Sequence, residues 1–254
     1  MLRVPVMKFC EPTGTIVAPP HQNAKARFDL TGKNAIKDYS STSKVALLDI
    51  DEVEGNQAIA ILVEEFQDRT GSIIFRVLDV TYAEQITSVT TKISEIFGDV
   101  DILATFAGIV NSSRLVDYTP ENFRKVLDIN TKGTFLTAQV VVKDMIAHGR
   151  GGSIILIASM AGHIVNYPQT HVAYGTCKAA VLHMRRCMAV ELAVHRIRVN
   201  SISPGYMDNR LNSSPDLQDV LPIWWERTPM GRIGLREEFG PVLLLYLLAK
   251  AAIP

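Results

Sequence analysis

The sequence predicts an α/β fold: a single doubly wound parallel sheet with helices on both faces. Three observations carry this expectation. From Lys44 onward five short runs, Lys44–Asp49, Ile73–Asp79, Asp101–Thr105, Ser153–Ser159 and Ile197–Ser203, are rich in Val, Ile and Leu with little polar alternation. Strands buried on both faces read this way. The segments between them are long enough for crossover helices, and one carries Ile86, Val89, Ile93 and Ile96 at steps of 3, 4 and 3, an amphipathic stripe. Finally, neither an internal repeat nor a low-complexity tract divides the 254 residues, which suits one domain. Strand–helix–strand repetition then gives right-handed crossovers and a parallel sheet.

Composition narrows the function classes. Hydrophobic residues make up 47% of the chain, enough for a sizeable core. Lys+Arg and Asp+Glu are 26 each, so neither a basic nucleic-acid footprint nor an acidic tail is expected. Cys10, Cys177 and Cys187 are too few and too scattered for a disulfide framework or a metal site, and fit a reduced, cytoplasmic protein. The longest apolar run, Val242 to Ala249, is well short of the roughly 20 residues that cross a bilayer. Residues 1–27 carry Arg3, Lys8, Lys25 and Arg27 against Glu11 alone, with four prolines and no apolar signal core. They read as a flexible extension, with a mitochondrial presequence as the weaker alternative.

In a doubly wound sheet, ligands bind beyond the carboxyl ends of the strands. The residues there are Asp49, Asp79, Thr105–Gly108, Ser159 and Pro204–Gly205. Just downstream, Tyr174 and Lys178 stand four apart at the start of a helix expected to run to about Val194, which brings both side chains to one face. An ammonium beside a phenol favours the phenolate and lowers its pKa from about 10. Such a tyrosine takes a proton from an alcohol, or gives one to a carbonyl, as hydride moves. Ser159 would hydrogen-bond the same substrate oxygen.

The motifs around this pair are more specific. Gly151-Gly-Ser-Ile-Ile-Leu-Ile-Ala-Ser-Met-Ala-Gly162, then Tyr174 and Lys178, then Arg198-Val-Asn-Ser-Ile-Ser-Pro-Gly205 resemble the short-chain dehydrogenase/reductase family. So do Ala107-Gly108 and Asn130 within Asp-Ile-Asn-Thr-Lys-Gly-Thr-Phe. The match covers roughly Lys44 to Gly240. It implies a Rossmann-like domain over residues 28–254 and a tetrad. Tyr174 would be the general acid/base, and Lys178 would lower its pKa and hold the nicotinamide ribose. Ser159 would position the substrate oxygen, and Asn130 would anchor a water of the proton relay. The interval of 15 from Ser159 to Tyr174, with His163-Ile-Val-Asn-Tyr-Pro-Gln169 and Thr228-Pro-Met-Gly-Arg-Ile-Gly234, resembles the fungal mannitol dehydrogenase and sorbose reductase branch. The implied substrate is a small-molecule ketone or alcohol: a polyol, a ketose or a ketone of fungal specialised metabolism.

The implied cofactor is NAD or NADP. Asp49 ends the first clear strand, where a carboxylate binds ribose hydroxyls and repels a 2′-phosphate, which favours NAD; the resembled branch often uses NADP. Relatives bind the adenine beside Asp79 and Val80, and wrap the nicotinamide with Pro204, Gly205 and Met207. Ala107, Gly108, Tyr174 and Lys178 complete the implied cofactor site. Asn209 stands where the family usually has threonine. Trp224 and Trp225, in the segment Asn209–Arg227, either line an apolar substrate pocket or pack that segment onto the core.

The sequence departs from the family at its front. The glycine-rich turn Thr-Gly-x-x-x-Gly-x-Gly, whose backbone approaches a pyrophosphate, is absent: none of Thr13, Thr31 and Thr70 is followed by the required glycines. Phe28–Ile36 looks like the approach to the first strand, yet only Lys37–Ser43 separate it from Lys44. A parallel crossover needs at least about 10–12 residues, so residues 28–36 either pair differently, as a hairpin around Ser40–Ser43, or leave the sheet. The family's last strand is also expected to be missing after Pro241–Pro254, which would disturb the usual homo-oligomer contact. Phe106 replaces an asparagine and would pack into space that the missing helix leaves. The alternative to an enzyme is a catalytically silent relic or a binding or scaffold protein. A coding sequence lacking an internal stretch would also produce the abrupt join before Lys44.

Overall fold

The computed structural model describes residues 44–65, 73–208, 219–235 and 238–243. The expected extension 1–27, the Phe28–Ile36 approach, the Ser40–Ser43 turn, Asn209 and residues 244–254 lie outside the described residues. Five parallel strands form: β1 (Val45–Asp49), β2 (Ile73–Val77), β3 (Ile102–Thr105), β4 (Gly152–Ile157) and β5 (Ile197–Ile202). Helices alternate with them: α1 (Glu52–Glu65), α2 (Ala83–Phe97), α3 (Pro120–Leu127), α4 (Thr134–His148) and α5 (Val172–Leu192), with a short α6 (Leu221–Arg227) after β5. The fold class is the expected α/β arrangement.

Among the described residues the sheet lies in two pieces. β1 pairs with β2 from Val45↔Ile73 to Asp49↔Val77, while β4 runs between β3 and β5. Each piece is covered on both faces. Leu47, Ile73 and Phe75 meet Ala58 and Leu62 of α1, and Ala46, Leu48 and Ile74 meet Ile86, Val89 and Ile93 of α2. On the other piece Ile154, Leu156, Ile197 and Val199 pack against Val141 and Met145 of α4 and Val181 of α5. Ile155 and Ile202 meet Phe239 and Leu243 on the opposite face. Leu136 and Val140 of α4 join the α2 cluster, so helix packing ties the two pieces together.

Two expectations shift at this level. Ile96 is 48% exposed, and the buried stripe is Ile86, Val89 and Ile93 with Phe97 beside it. Phe106 packs edge to face on Phe239, ring centroids 5.9 Å apart, so the C-terminal segment covers it.

Candidate active site

The site is assembled at the carboxyl ends of β3, β4 and β5 by two local devices. Ser159, two residues beyond β4, caps a tight turn of helix at Met160–Gly162, its Oγ accepting the Ala161 N–H at 3.1 Å. That turn lies against α5 so closely that a Cβ on Gly162 would stand 2.7 Å from the Lys178 carbonyl carbon. Only glycine permits this approach, and it sets the Ser159 turn against α5, the helix that carries Tyr174 and Lys178. The second device is the widened turn Asp128–Gly133 between α3 and α4. It carries Asn130, which is 0% exposed.

Tyr174 and Lys178 share one face of α5, the Lys178 Nζ 5.5 Å from the phenol ring centroid. Lys178 is 5% exposed, and its Nζ donates to the Ile157 carbonyl at 2.8 Å. Asn130 Nδ2 donates to the Ile109 carbonyl at 2.9 Å and to the Val126 carbonyl at 3.0 Å, tying the turn to the loop after β3. Its Oδ1 is buried without a hydrogen-bond partner. Gly108 lies between: a Cβ there would stand 2.6 Å from Asn130 Oδ1 and 3.9 Å from Lys178 Nζ. The structure therefore brings Gly108, Asn130, Ser159, Tyr174 and Lys178 together.

The electrostatics differ from the sequence expectation in one respect. Burial pushes the Tyr174 phenol above its ordinary value, with the Ser159 hydrogen bond pulling it partly back. Lys178 does not lower it, because burial brings the lysine itself down to about 8 and its ammonium is turned to the Ile157 carbonyl. Desolvation opposes charge on both groups.

The other expected residues lie along the same strand ends. Asp49 ends β1, with Oδ1 accepting the Asp51 N–H at 3.0 Å. Asp79 Oδ1 accepts from the Thr81 N–H and hydroxyl at 2.9 and 2.7 Å. Val80 packs on Gly133, where a Cβ would come within 2.6 Å of its Cγ2. Ala107 precedes Gly108 just beyond β3. The Pro204 carbonyl accepts the Met160 N–H at 3.0 Å, and Gly205 faces Met160. Met207 forms a bridge with Gly234. Trp224 is fully buried and stacks on Tyr206 at 4.1 Å, packing α6 onto the core.

Sequence reasoning missed His171. Its ring lies edge to face on Tyr174 at 5.9 Å, and its Nε2 is 2.7 Å from Ser112 Oγ. Burial lowers its pKa, which keeps it neutral. Its position three residues before Tyr174 was the available signal, since residues at i and i+3 meet across one turn.

Comparison with known proteins agrees with this fold. A family model described as enoyl-(acyl carrier protein) reductase matches residues 39–252. Among solved structures, a short-chain type dehydrogenase/reductase from Mycobacterium marinum superposes with a TM-score of 0.75 at 35% identity, over 86% of this chain and 84% of its own. The chain belongs to the short-chain dehydrogenase/reductase family. Within that family it is 31% identical over 211 residues to galactitol 2-dehydrogenase of Rhizobium johnstonii, spanning 82% of this chain and 80% of that protein. It is 40% identical over 161 residues to sorbose reductase of Schizosaccharomyces pombe, 63% of this chain and 62% of that one. An NAD+-bound xylitol dehydrogenase superposes with a TM-score of 0.76 at 29% identity, over 89% and 92% of the two chains. No helix of the described residues is long and apolar enough to cross a membrane.

Proposed function

We propose that this short-chain dehydrogenase/reductase interconverts a secondary alcohol and a ketone with NAD or NADP, and that its substrate is a polyol or ketose. The observation that carries the reading is the shared face of Tyr174 and Lys178, with the Ser159 turn packed against the same helix. Names of relatives support the substrate class, and the interval of 15 between Ser159 and Tyr174 supports the fungal sugar-reductase branch.

In the oxidising direction Ser159 holds the substrate oxygen, and Tyr174, as phenolate, takes the hydroxyl proton. The carbon's hydrogen leaves as hydride while the C=O bond forms, so the alcohol loses two electrons and one proton goes to the phenol. NAD(P), when bound, supplies the acceptor or donor of that hydride. Lys178 would hold the nicotinamide ribose and stabilise the phenolate, and Asn130 would anchor a relay water. The orphaned Asn130 Oδ1, packed against Gly108, is a buried acceptor that suits the relay water. Asp49 would hold the adenosine ribose and Asp79 with Val80 the adenine, at the ends of β1 and β2. For the pyrophosphate the sequence offers no glycine-rich turn, and this favours a second reading, a binding protein of the same fold.

Tyr174→Phe decides between them. Turnover of a polyol with NAD(P)+ should fall by at least about a thousandfold while the melting temperature holds. Undiminished turnover would refute the acid–base role. Absence of NAD(P)H binding at millimolar concentration, followed by nicotinamide fluorescence, would favour the binding protein.

A further inference from the structure

The loop between Ser159 and Tyr174 carries a polar side chain that the proton chemistry leaves unused. Gln169 Oε1 accepts the Tyr206 hydroxyl at 3.2 Å. Tyr206 is itself fixed, stacked on the fully buried Trp224 at 4.1 Å and 11° between ring planes. A carboxamide has one acceptor and two donors, so this bond sets which way the amide faces. Oxygen turns to Tyr206, and the nitrogen keeps both N–H groups. No described residue takes them, and the nitrogen is not among the buried atoms left without a partner. It is an oriented donor open to a ligand.

Both ends of this bond belong to segments that adjoin the candidate site along the chain. Gln169 lies two residues before His171, whose ring rests on Tyr174. Tyr206 directly follows Pro204–Gly205, and the Pro204 carbonyl takes the N–H of Met160, the neighbour of Ser159. A second contact from the same helix, the Arg227 guanidinium 4.5 Å over the Tyr167 ring, clamps the loop from outside. α6 thus touches the loop at Tyr167 and reaches Gln169 through Tyr206.

We propose that Gln169 is a specificity-determining residue that donates a hydrogen bond to a substrate hydroxyl beside the reacting carbon, with Tyr206 on Trp224 as its positioning residue. The substrate class is then vicinal: polyols and α-hydroxyketones rather than isolated alcohols and ketones. The inference rests on the oxidoreductase reading above. A site built to hydrogen-bond a hydroxyl discriminates against analogues that lack it.

The test compares xylitol with cyclohexanol, which has no neighbouring hydroxyl, in the full chain, Gln169→Met and Tyr206→Phe. Gln169→Met should raise KM for xylitol about tenfold and leave kcat within about twofold, with the cyclohexanol constants unchanged. Tyr206→Phe, which keeps the stack and loses the hydroxyl, should raise KM for xylitol about threefold with the same unchanged kcat. Equal effects on both alcohols, or none on either, overturn the proposal while the oxidoreductase reading stands. If the native chain oxidises neither alcohol, xylitol binding followed by tryptophan fluorescence separates the two ideas. Saturable binding that Gln169→Met weakens supports Gln169 as the hydroxyl donor and counts against xylitol oxidation alone; no binding, or binding indifferent to the substitution, overturns Gln169.

Discussion

The two pieces of the sheet are made of similar apolar strands yet buried to different depths, and the residues proposed to react stand at the end of the deeper piece. In β4, Ile154, Ile155 and Leu156 are all 0% exposed, whereas in β1 Leu47 alone is buried. The cause is position. β4 has ladders on both sides and covered faces, while β1 has a ladder to β2 alone among the described residues. Proton transfer needs donor and acceptor held to a few tenths of an ångström, and a closed ladder supplies that rigidity. Asp49 and Asp79, at the ends of the shallower pair, are assigned only recognition, which tolerates more movement.

Depth should appear directly in stability. Ile154→Ala deletes three carbons from a site with no access to solvent and should cost about 3–4 kcal/mol. Val45→Ala removes two methyl groups from a half-buried strand and should cost about 1 kcal/mol. Denaturant unfolding of the two variants measures the contrast. Equal losses would mean that the two pieces share one core of uniform depth.

Legibility followed a different divide, between local pattern and distant contact. The apolar runs of β1 to β5 could be read because strands covered on both faces lack polar alternation, a signal that depends on few distant contacts. Tyr174 and Lys178 could be paired because helical spacing is local. What escaped depended on tertiary placement. The Lys178 ammonium finds the Ile157 carbonyl, 21 residues away in sequence, and so leaves the phenol to be governed by burial. The widened turn at Asn130 has no pattern in Asp-Ile-Asn-Thr-Lys-Gly, and the Gln169–Tyr206 bond spans 37 residues. Trp224 could be read either as pocket wall or as packing; its stack on Tyr206 makes it packing.

The deeper piece should also reveal itself through pH. Lys178 titrates near 8 in the folded protein against 10.5 for its ordinary value. Between those values the unfolded chain binds more protons, so the sign of the linkage is positive: stability rises with pH through that window. The cost of holding the ammonium in the core is fully present below about pH 8 and relieved toward pH 10.5. Relative to Lys178→Met, the native chain should gain at most about 1.4 kcal/mol per pH unit there. Denaturant midpoints at pH 7, 9 and 10 measure it. A flat difference would place the ammonium in water and make this end of the site as shallow as the other.

The smallest effect is expected at the shallow end. Asp49 closes β1 with one carboxylate oxygen on the Asp51 N–H, and the next residue, Ile50, offers no positive charge to a phosphate. A carboxylate there favours ribose hydroxyls and repels a 2′-phosphate. Asp49→Ser removes the repulsion and adds no attraction. The ratio of kcat/KM for NAD+ over NADP+ should therefore fall about fivefold, about 1 kcal/mol, through KM rather than kcat. Because Asp49 is only part-buried, added salt should shrink the effect. An unchanged ratio would remove the ribose from the end of β1. A collapse of kcat for both cofactors would instead show that this pair of strands positions the reacting groups, and the division between a rigid chemical half and a tolerant recognition half would fail.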